Sequence, residues 1–264
     1  MSGKVKTCPA CGSAQSLPYS HPLYRACAAC GSLYQTHDIK PVDDYYDHEP
    51  ISFTHQVGSY KQYLDILKAH IPNLNTYTVV DVGGGDGTFL DVVKSSFSQA
   101  KGTDLSPTAK DVLQQKNYWT EPGSVATYTP KVATAFQVIE HVPDPRSFIT
   151  AMGLKKGDWL VLTCPGADSA DAKAMAHTGR WRNLSPSHHL CLYTRQGLQQ
   201  VANDTGLELV LHAPVWAACH GAIDNAWRHL KQYIKWPVKR LIGRKDPFPH
   251  FYGRDSVLVI LRKN

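Results

Sequence analysis

No apolar run in the sequence approaches the ~20 residues that a helix needs to cross a bilayer. The opening stretch, MSGKVKTCPACGS, has none of the apolar core of a secretion signal. Both absences point to the cytoplasm. Internal repeats and low-complexity tracts are missing as well. Charge is thin: acids and bases make up 19% of the residues and leave a net charge of +6, which permits an anionic partner without demanding one. Cysteines number only seven, and a large chain without export signals is a poor candidate for a disulfide framework. What is present is 42% hydrophobic content spread over 264 residues, enough to bury one large α/β core plus a small appendage.

The few cysteines are ordered. Cys8 and Cys11 form one C-x-x-C pair, Cys27 and Cys30 another, with 15 residues between the pairs. This is the two-knuckle spacing of a zinc ribbon, in which four thiolates close a tetrahedral site. Gly12 and Gly31 follow the second cysteine of each knuckle, where a tight turn can aim backbone N–H groups at sulfur. A redox C-x-x-C would not need the second pair. Four thiolates leave no open position, so the expected Zn2+ is structural and takes no part in chemistry. The remaining Cys164, Cys191 and Cys219 are scattered and read as buried thiols.

The segment TVVDVGGGDGTFLDVV (78–93) reads as a strand, a glycine-rich turn and a helix. Glycine lets the backbone turn with positive φ and come close to a ligand, and the helix start offers free N–H groups. Gly83, Gly85 and Gly87 give G-x-G-x-G, with Thr88 in the third glycine position of the dinucleotide fingerprint. Asp81, just before the turn, would repel a second anion. A cationic, phosphate-free ligand fits better than a pyrophosphate.

This pattern resembles the first motif of class I S-adenosylmethionine (SAM) methyltransferases. Three later stretches resemble the same superfamily in the right order. GTDLSP puts Asp104, followed by Leu105, 23 residues after Asp81, where a carboxylate can accept from both ribose hydroxyls. ATAFQVIEHVPDPRSFI (133–149) resembles the fourth-strand motif, and LKKGDWLVLTCPG (154–166) the strand that follows. On the resemblance, Phe136 and Gln137 line the SAM site. Val125, Ala126 and Thr127 offer no acid after the third strand, where many relatives contact adenine. A ribbon, then DYYD, then these motifs is similar to a subgroup that includes sugar C-methyltransferases of antibiotic pathways and methyltransferases found with surface-polysaccharide genes. In that subgroup an aromatic of the YY segment covers SAM, which implicates Tyr45 or Tyr46; packing in the core is the other reading of these tyrosines. Tyr60, Tyr63, Leu64, Ile66, Leu67 and Ile71 suit an amphipathic helix packed on the sheet.

Methyl transfer from a sulfonium needs an aligned acceptor, excluded water and, for a hydroxyl, removal of a proton. Two histidine-bearing stretches fall on the acceptor side, beyond the ends of strands four and five. One is Glu140–His141. Quinone O-methyltransferases carry a related Glu-x-x-Glu-His segment that binds a divalent metal, and here Gln137 replaces the first carboxylate. An amide oxygen is the weaker ligand, so Glu140 and His141 are read as orienting the acceptor or capping the next helix. The other stretch is RWRNLSPSHHLCLYT (180–194), in which His188 or His189 is the expected general base. Packing of one and substrate binding by the other is the alternative. Arg180, Trp181 and Arg182 offer a ring and two guanidiniums to a sugar, phosphate or carboxylate, or form a plain loop edge. Thr194 suits an N-cap, Leu198 and Val201 a buried stripe, and Gly206 a helix end.

The stretch DNAWRHLKQYIKWPVKRLIGRKDPF mixes apolar residues with eight basic or histidine positions. It reads either as a docked helix with a solvated basic face or as a helix lying on an anionic membrane. SVLVILRKN supplies a final strand, expected at the edge of the sheet.

The fold expected is therefore α/β, a doubly wound Rossmann-like methyltransferase sheet with a small N-terminal four-cysteine zinc ribbon. The expected units are a ribbon over 1–38, a helical bridge and SAM lid over 39–75, and a SAM-dependent domain over 76–264. The domain carries an acceptor-side insertion at 166–193 and the basic segment at 224–245. The expected function is O-methylation of a sugar, glycan terminus or small hydroxylated metabolite. C-methylation of a nucleotide-linked keto sugar, ribosomal RNA methylation and a non-catalytic SAM-binding scaffold are the rivals. The modest charge and the lack of a base-stacking surface argue against nucleic acid. Peripheral contact with the inner membrane surface is left open.

Overall fold

The computed structural model describes residues 7–36, 52–215 and 255–264. Tyr45, Tyr46, Cys219 and the basic segment 224–245 lie outside the described residues.

The main sheet is built from β4 (Thr78–Val82), β5 (Gln99–Thr103), β6 (Lys131–Phe136), β7 (Trp159–Pro165), β9 (Leu207–Val215) and β10 (Ser256–Lys263). They lie in the order β5-β4-β6-β7-β10-β9, and the first four are parallel. β10 runs antiparallel to both β7 and β9. The expected final strand is thus real, but it lies between two others. The edge position predicted for it is wrong: Val257 to Leu261 are buried on both faces, the near-continuous apolar run of a central strand. Among the described residues no strand forms between β5 and β6 in the chain. Beyond β5 only the bridge Gly102–Trp119 remains, followed by a 3-10 turn at Pro122–Thr127.

Alternation along the strands assigns the two faces. Val79, Val132, Val161, Leu258 and Ile260 point to one core with α1 (Val57–His70), α2 (Thr88–Val93) and α3 (Pro107–Gln115). Their neighbours Val80, Ala133, Leu160, Leu162, Val257 and Val259 point to the other, with α4 (Pro145–Ala151) and α6 (Arg195–Asp204). α1 buries Tyr60, Tyr63, Leu64 and Leu67 as its spacing predicts. Thr194 caps α6 by accepting from the Gly197 N–H, and Leu198 and Val201 are its buried stripe. At the foot of the sheet Lys131 and Asp158 form a fully buried ion pair at 3.3 Å. Lys131 also donates to the Tyr128 and Gly153 carbonyls.

The N-terminal cysteine unit is sewn into the domain. β1 (Ser16–Pro18), β2 (Tyr24–Cys27) and β3 (Leu33–Gln35) form a meander, and β3 pairs with β8 (Cys191–Leu192) from the far part of the chain. Cys8, Ala10, Cys27, Cys30 and Tyr34 share one core with Tyr193 and Leu198. Arg146 of α4 clamps the unit by donating to the Pro9 and Ala10 carbonyls. Its knuckle glycines take φ of +76° and +75°. Gly12 and Gly31 themselves donate to the carbonyls of Cys8 and Cys27, and the turns aim the Cys11, Ser13 and Ser32 N–H groups at the sulfurs of Cys8, Cys11 and Cys30, as expected.

Candidate active site

A cavity of about 700 Å³ opens at the C-terminal ends of β4, β5 and β6, a volume ordinary for a small-ligand site. Its floor is the glycine turn. Gly83 and Gly84 both donate to the Thr103 carbonyl, and the Gly85 N–H donates to Asp104 Oδ2 at 2.9 Å. Asp86 braces the other side, accepting from the Thr88 and Phe53 N–H groups. Gly85 sits at φ +52°, and a Cβ there would lie 2.4 Å from the Phe53 ring. No other residue type fits under that ring.

Seven of the eight predicted cofactor residues line this cavity: Asp81, Gly83, Gly85, Asp104, Leu105, Phe136 and Gln137. Tyr46, the eighth, lies outside the described residues. Leu105 is 88% exposed at the rim, an apolar surface open to a flat ligand. Asp81 is almost fully buried and accepts from Thr134 Oγ1 at 2.6 Å. Burial pushes its carboxyl up to about 7, against the Thr134 hydrogen bond and with help from Asp104. Gln137 is held at φ +56°, a costly conformation for a residue with a Cβ. Its N–H and amide group both donate to Thr163, on the next strand.

Sequence reasoning missed part of the wall. Phe53 had no pattern to betray it, while Tyr60 and Tyr63 were legible only as helix core. Both tyrosines, with Phe89 and Phe136, make an aromatic cluster along one side of the cavity, with ring centroids 4.7 Å apart for Phe89 and Phe136.

The methyltransferase-domain family profile matches residues 53–212, more than half of the chain and the whole of this cavity. The chain belongs to that family. It carries a methyltransferase domain of Rossmann-like fold. It is 31% identical to a ubiquinone biosynthesis O-methyltransferase of Nitrosomonas europaea over 37% of this chain and 47% of that protein, so the match spans about half of that relative's length. Among solved structures it is similar to the YcgJ protein of Bacillus subtilis, with 14% identity, a TM-score of 0.49 and coverage of 77% and 99% of the two chains. It is also similar to a geranyl diphosphate C-methyltransferase of Streptomyces coelicolor, with 13% identity, a TM-score of 0.48 and coverage of 86% and 88%. Among the described residues no helix is long and apolar enough to cross a membrane.

In the methyltransferase, His141 lines the far side of the cavity, on a 3-10 turn (Ile139–His141) that follows β6. The Leu190 N–H donates to the Glu140 carbonyl, which fixes this turn against the 180–194 segment. Glu140, His141 and His189 come together, with their ligating atoms all within 4.8 Å of one another. Glu140 is fully buried, and neither carboxylate oxygen has a hydrogen-bond partner. Burial pushes its carboxyl up to about 8. Burial, and then the neighbouring His189, press His141 down to about 4. Burial also lowers His188 and His189.

Two expectations for this side are corrected. The next helix is capped by Asp144, which accepts from the Arg146 and Ser147 N–H groups, so Glu140–His141 is not its cap. His188 stands close enough to His141 and His189 to act on both electrostatically, with its Nδ1 3.1 Å and 2.5 Å from the Ser185 and Ser187 hydroxyls. Trp181 is neither a stacking ring nor a loop edge. It is buried with Tyr24, Leu33 and Leu192, and its ring N–H, Arg182 and Asn183 all donate to the buried Asp255.

The four sulfurs of Cys8, Cys11, Cys27 and Cys30 also lie within 4.8 Å of one another, at 3.7 Å for Cys8–Cys30 and 3.4 Å for Cys11–Cys27. Sulfurs at the corners of a tetrahedron ~2.3 Å from zinc stand about 3.8 Å apart, whereas a disulfide needs ~2.05 Å. The Cys30 thiol, then burial, drives Cys8 far above the usual thiol range, and burial pushes Cys11 up to about 11. The Cys8 thiol meanwhile holds Cys30 down at about 5. The cluster is able to ligate a metal.

Proposed function

We propose that this methyltransferase transfers the methyl group of SAM to a hydroxyl of a sugar, glycan terminus or other small hydroxylated metabolite. On this reading the glycine turn admits the amino-acid end of SAM, Asp81 favours the positive ligand, and Asp104 and Leu105 hold the ribose and adenine. Phe136 and Gln137 complete the wall. The observation that carries the acceptor assignment is the convergence of Glu140, His141 and His189 beside that cavity. Two imidazoles, each with a ring nitrogen able to accept, beside a buried carboxyl complement a hydroxyl, which brings one proton to give. His141 and His189 handle that proton, and His188 is a supporting residue. The four cysteines hold a structural Zn2+ in a ribbon over residues 1–38, the bridge runs over 39–75, and the catalytic domain over 76–264.

Label from methyl-tritiated SAM, followed into host extract split into polar metabolites, lipid-linked material and RNA, tests this reading. The expected result is ether-linked label in the first two fractions, falling by at least about tenfold with His189→Ala. Label in nuclease-sensitive RNA would overturn the substrate class. Label bound to carbon would favour the C-methyltransferase alternative, and SAM binding without transfer a scaffold.

A further inference from the structure

The acceptor side is not finished by its own elements. Tyr24 and Gln35 stand opposite each other on the antiparallel β2–β3 hairpin, at the end away from Cys27 and Cys30. Both side chains are buried, and both send donors out of the cysteine unit. The Tyr24 hydroxyl donates to the His189 carbonyl at 2.8 Å. The Gln35 amide donates to the same carbonyl at 2.6 Å and to that of Pro186 at 2.9 Å. Both lone pairs of one loop carbonyl are therefore met from the hairpin. The backbone extends the connection: the Gln35 N–H donates to the Leu190 carbonyl at 3.1 Å, and the Leu190 N–H to the Glu140 carbonyl at 2.7 Å. One ladder runs from the hairpin through His189 and Leu190 to the turn that carries His141, whose ring centroid lies 5.0 Å from that of His189.

The cofactor side hangs on other elements. Cys8, Cys27, Cys30 and Tyr34 pack on the sheet face that also holds Leu198 and Val201. The aromatic wall of Tyr60, Tyr63, Phe89 and Phe136 packs on the opposite face, and the glycine turn closes on Thr103 and Asp104. From this division we infer that Tyr24 and Gln35 are positioning residues for methyl transfer, and that metal loading of the four-cysteine cluster sets the acceptor wall without setting SAM affinity. A two-stranded hairpin is marginal on its own, and ligation by thiolates is folding free energy for so small a unit. With the metal gone the hairpin loosens, its two donor side chains withdraw, and the His189 and Pro186 carbonyls lose their partners. The loop that carries them then opens to water while the sheet beneath keeps its packing. The catalytic meaning of this rests on the acceptor side proposed above; the link from hairpin to loop does not.

Hydrogen–deuterium exchange by the full-length chain loaded with Zn2+ tests that link. Tyr24→Phe combined with Gln35→Met removes all three side-chain donations at nearly constant volume and leaves the four cysteines in place. Amides of residues 185–191 should exchange at least about tenfold faster than in the wild type, and those of residues 82–90 within about twofold of it. Zinc content and SAM affinity should hold, while label carried from methyl-tritiated SAM into host extract falls. Wild-type protein stripped by a chelator under reducing conditions should show the same division. Unchanged exchange over 185–191 in either protein overturns the inference. Equal acceleration over both stretches overturns it too, and so does loss of SAM affinity with the metal, because either result makes the unit a general brace of the fold. Tyr24→Phe alone, which leaves both Gln35 donations, should give a smaller acceleration over 185–191 and serves if the double variant fails to fold. If exchange shifts as expected but transfer depends on neither His141 nor His189, the proposed reading fails and the link stands. If transfer depends on His189 and exchange does not shift, the inference fails alone.

Discussion

The two sides of the cavity are finished to different degrees. On the cofactor side each acid is engaged: Asp81 by Thr134, Asp86 by Phe53 and Thr88, and Asp104 by Gly85 and Ser106. On the acceptor side Glu140 is the most deeply buried acid of the site, yet its carboxylate has no partner. A ligand common to a whole superfamily can be met by a rigid turn whose hydrogen bonds close on themselves. A site whose polar groups remain open is shaped by what it has still to bind.

The largest effect should come from breaking the finished side. Gly85→Val forces a β-branched residue to positive φ and into the Phe53 ring, and SAM affinity by calorimetry should fall on the order of a hundredfold. Unchanged affinity would mean that the turn does not hold SAM.

A smaller effect sharpens the electrostatic part. With Asp81 at about 7 in the empty protein, a cationic ligand binds best to its ionised form. SAM affinity should therefore rise by about tenfold between pH 6 and 8 and then level off, and Asp81→Asn should flatten the profile. The sign for stability is opposite. The raised pKa stabilises the empty fold at acid pH, and that contribution is lost as pH rises from the ordinary carboxylate range through about 7. A wild-type binding profile flat with pH would remove Asp81 from the role given to it.

The smallest effect crosses to the open side. Gln35 donates to both the Pro186 and His189 carbonyls. With about half of the roughly 1 kcal/mol of each bond felt at the acceptor side, Gln35→Ala should slow methyl transfer by about fivefold. SAM affinity should stay the same. A matching loss of SAM affinity would show instead a general loosening of the domain.

The finished side was also the legible one. The run from Val79 to Val93 carries its strand, turn and helix in residue type alone, and Asp104 follows at the proper interval. The pairing of Leu33 and Tyr34 with Leu192 and Cys191 was not legible, because strands of two and three residues are too short to show a period. Nor was the burial of Trp181, whose partner Asp255 lies 74 residues away. Glu140 and His141 could be singled out by their chemistry, but their company with His189 depends on the loop that brings the two segments together. The last strand was recognised by its apolar run, yet an apolar run does not say which neighbours it will have.

That last strand sets an order of events. Residues 256–263 leave the ribosome after every other strand of the sheet, and they take an interior place in it, between β7 and β9. Until they arrive, both neighbours present open edges, the usual starting point for mispairing. The cysteine unit, translated before the main sheet, waits in turn for β8 to complete its own small sheet. The domain therefore closes late, when the strand that completes each sheet arrives, and a nascent chain stalled short of residue 256 would carry β7 and β9 without the strand that joins them.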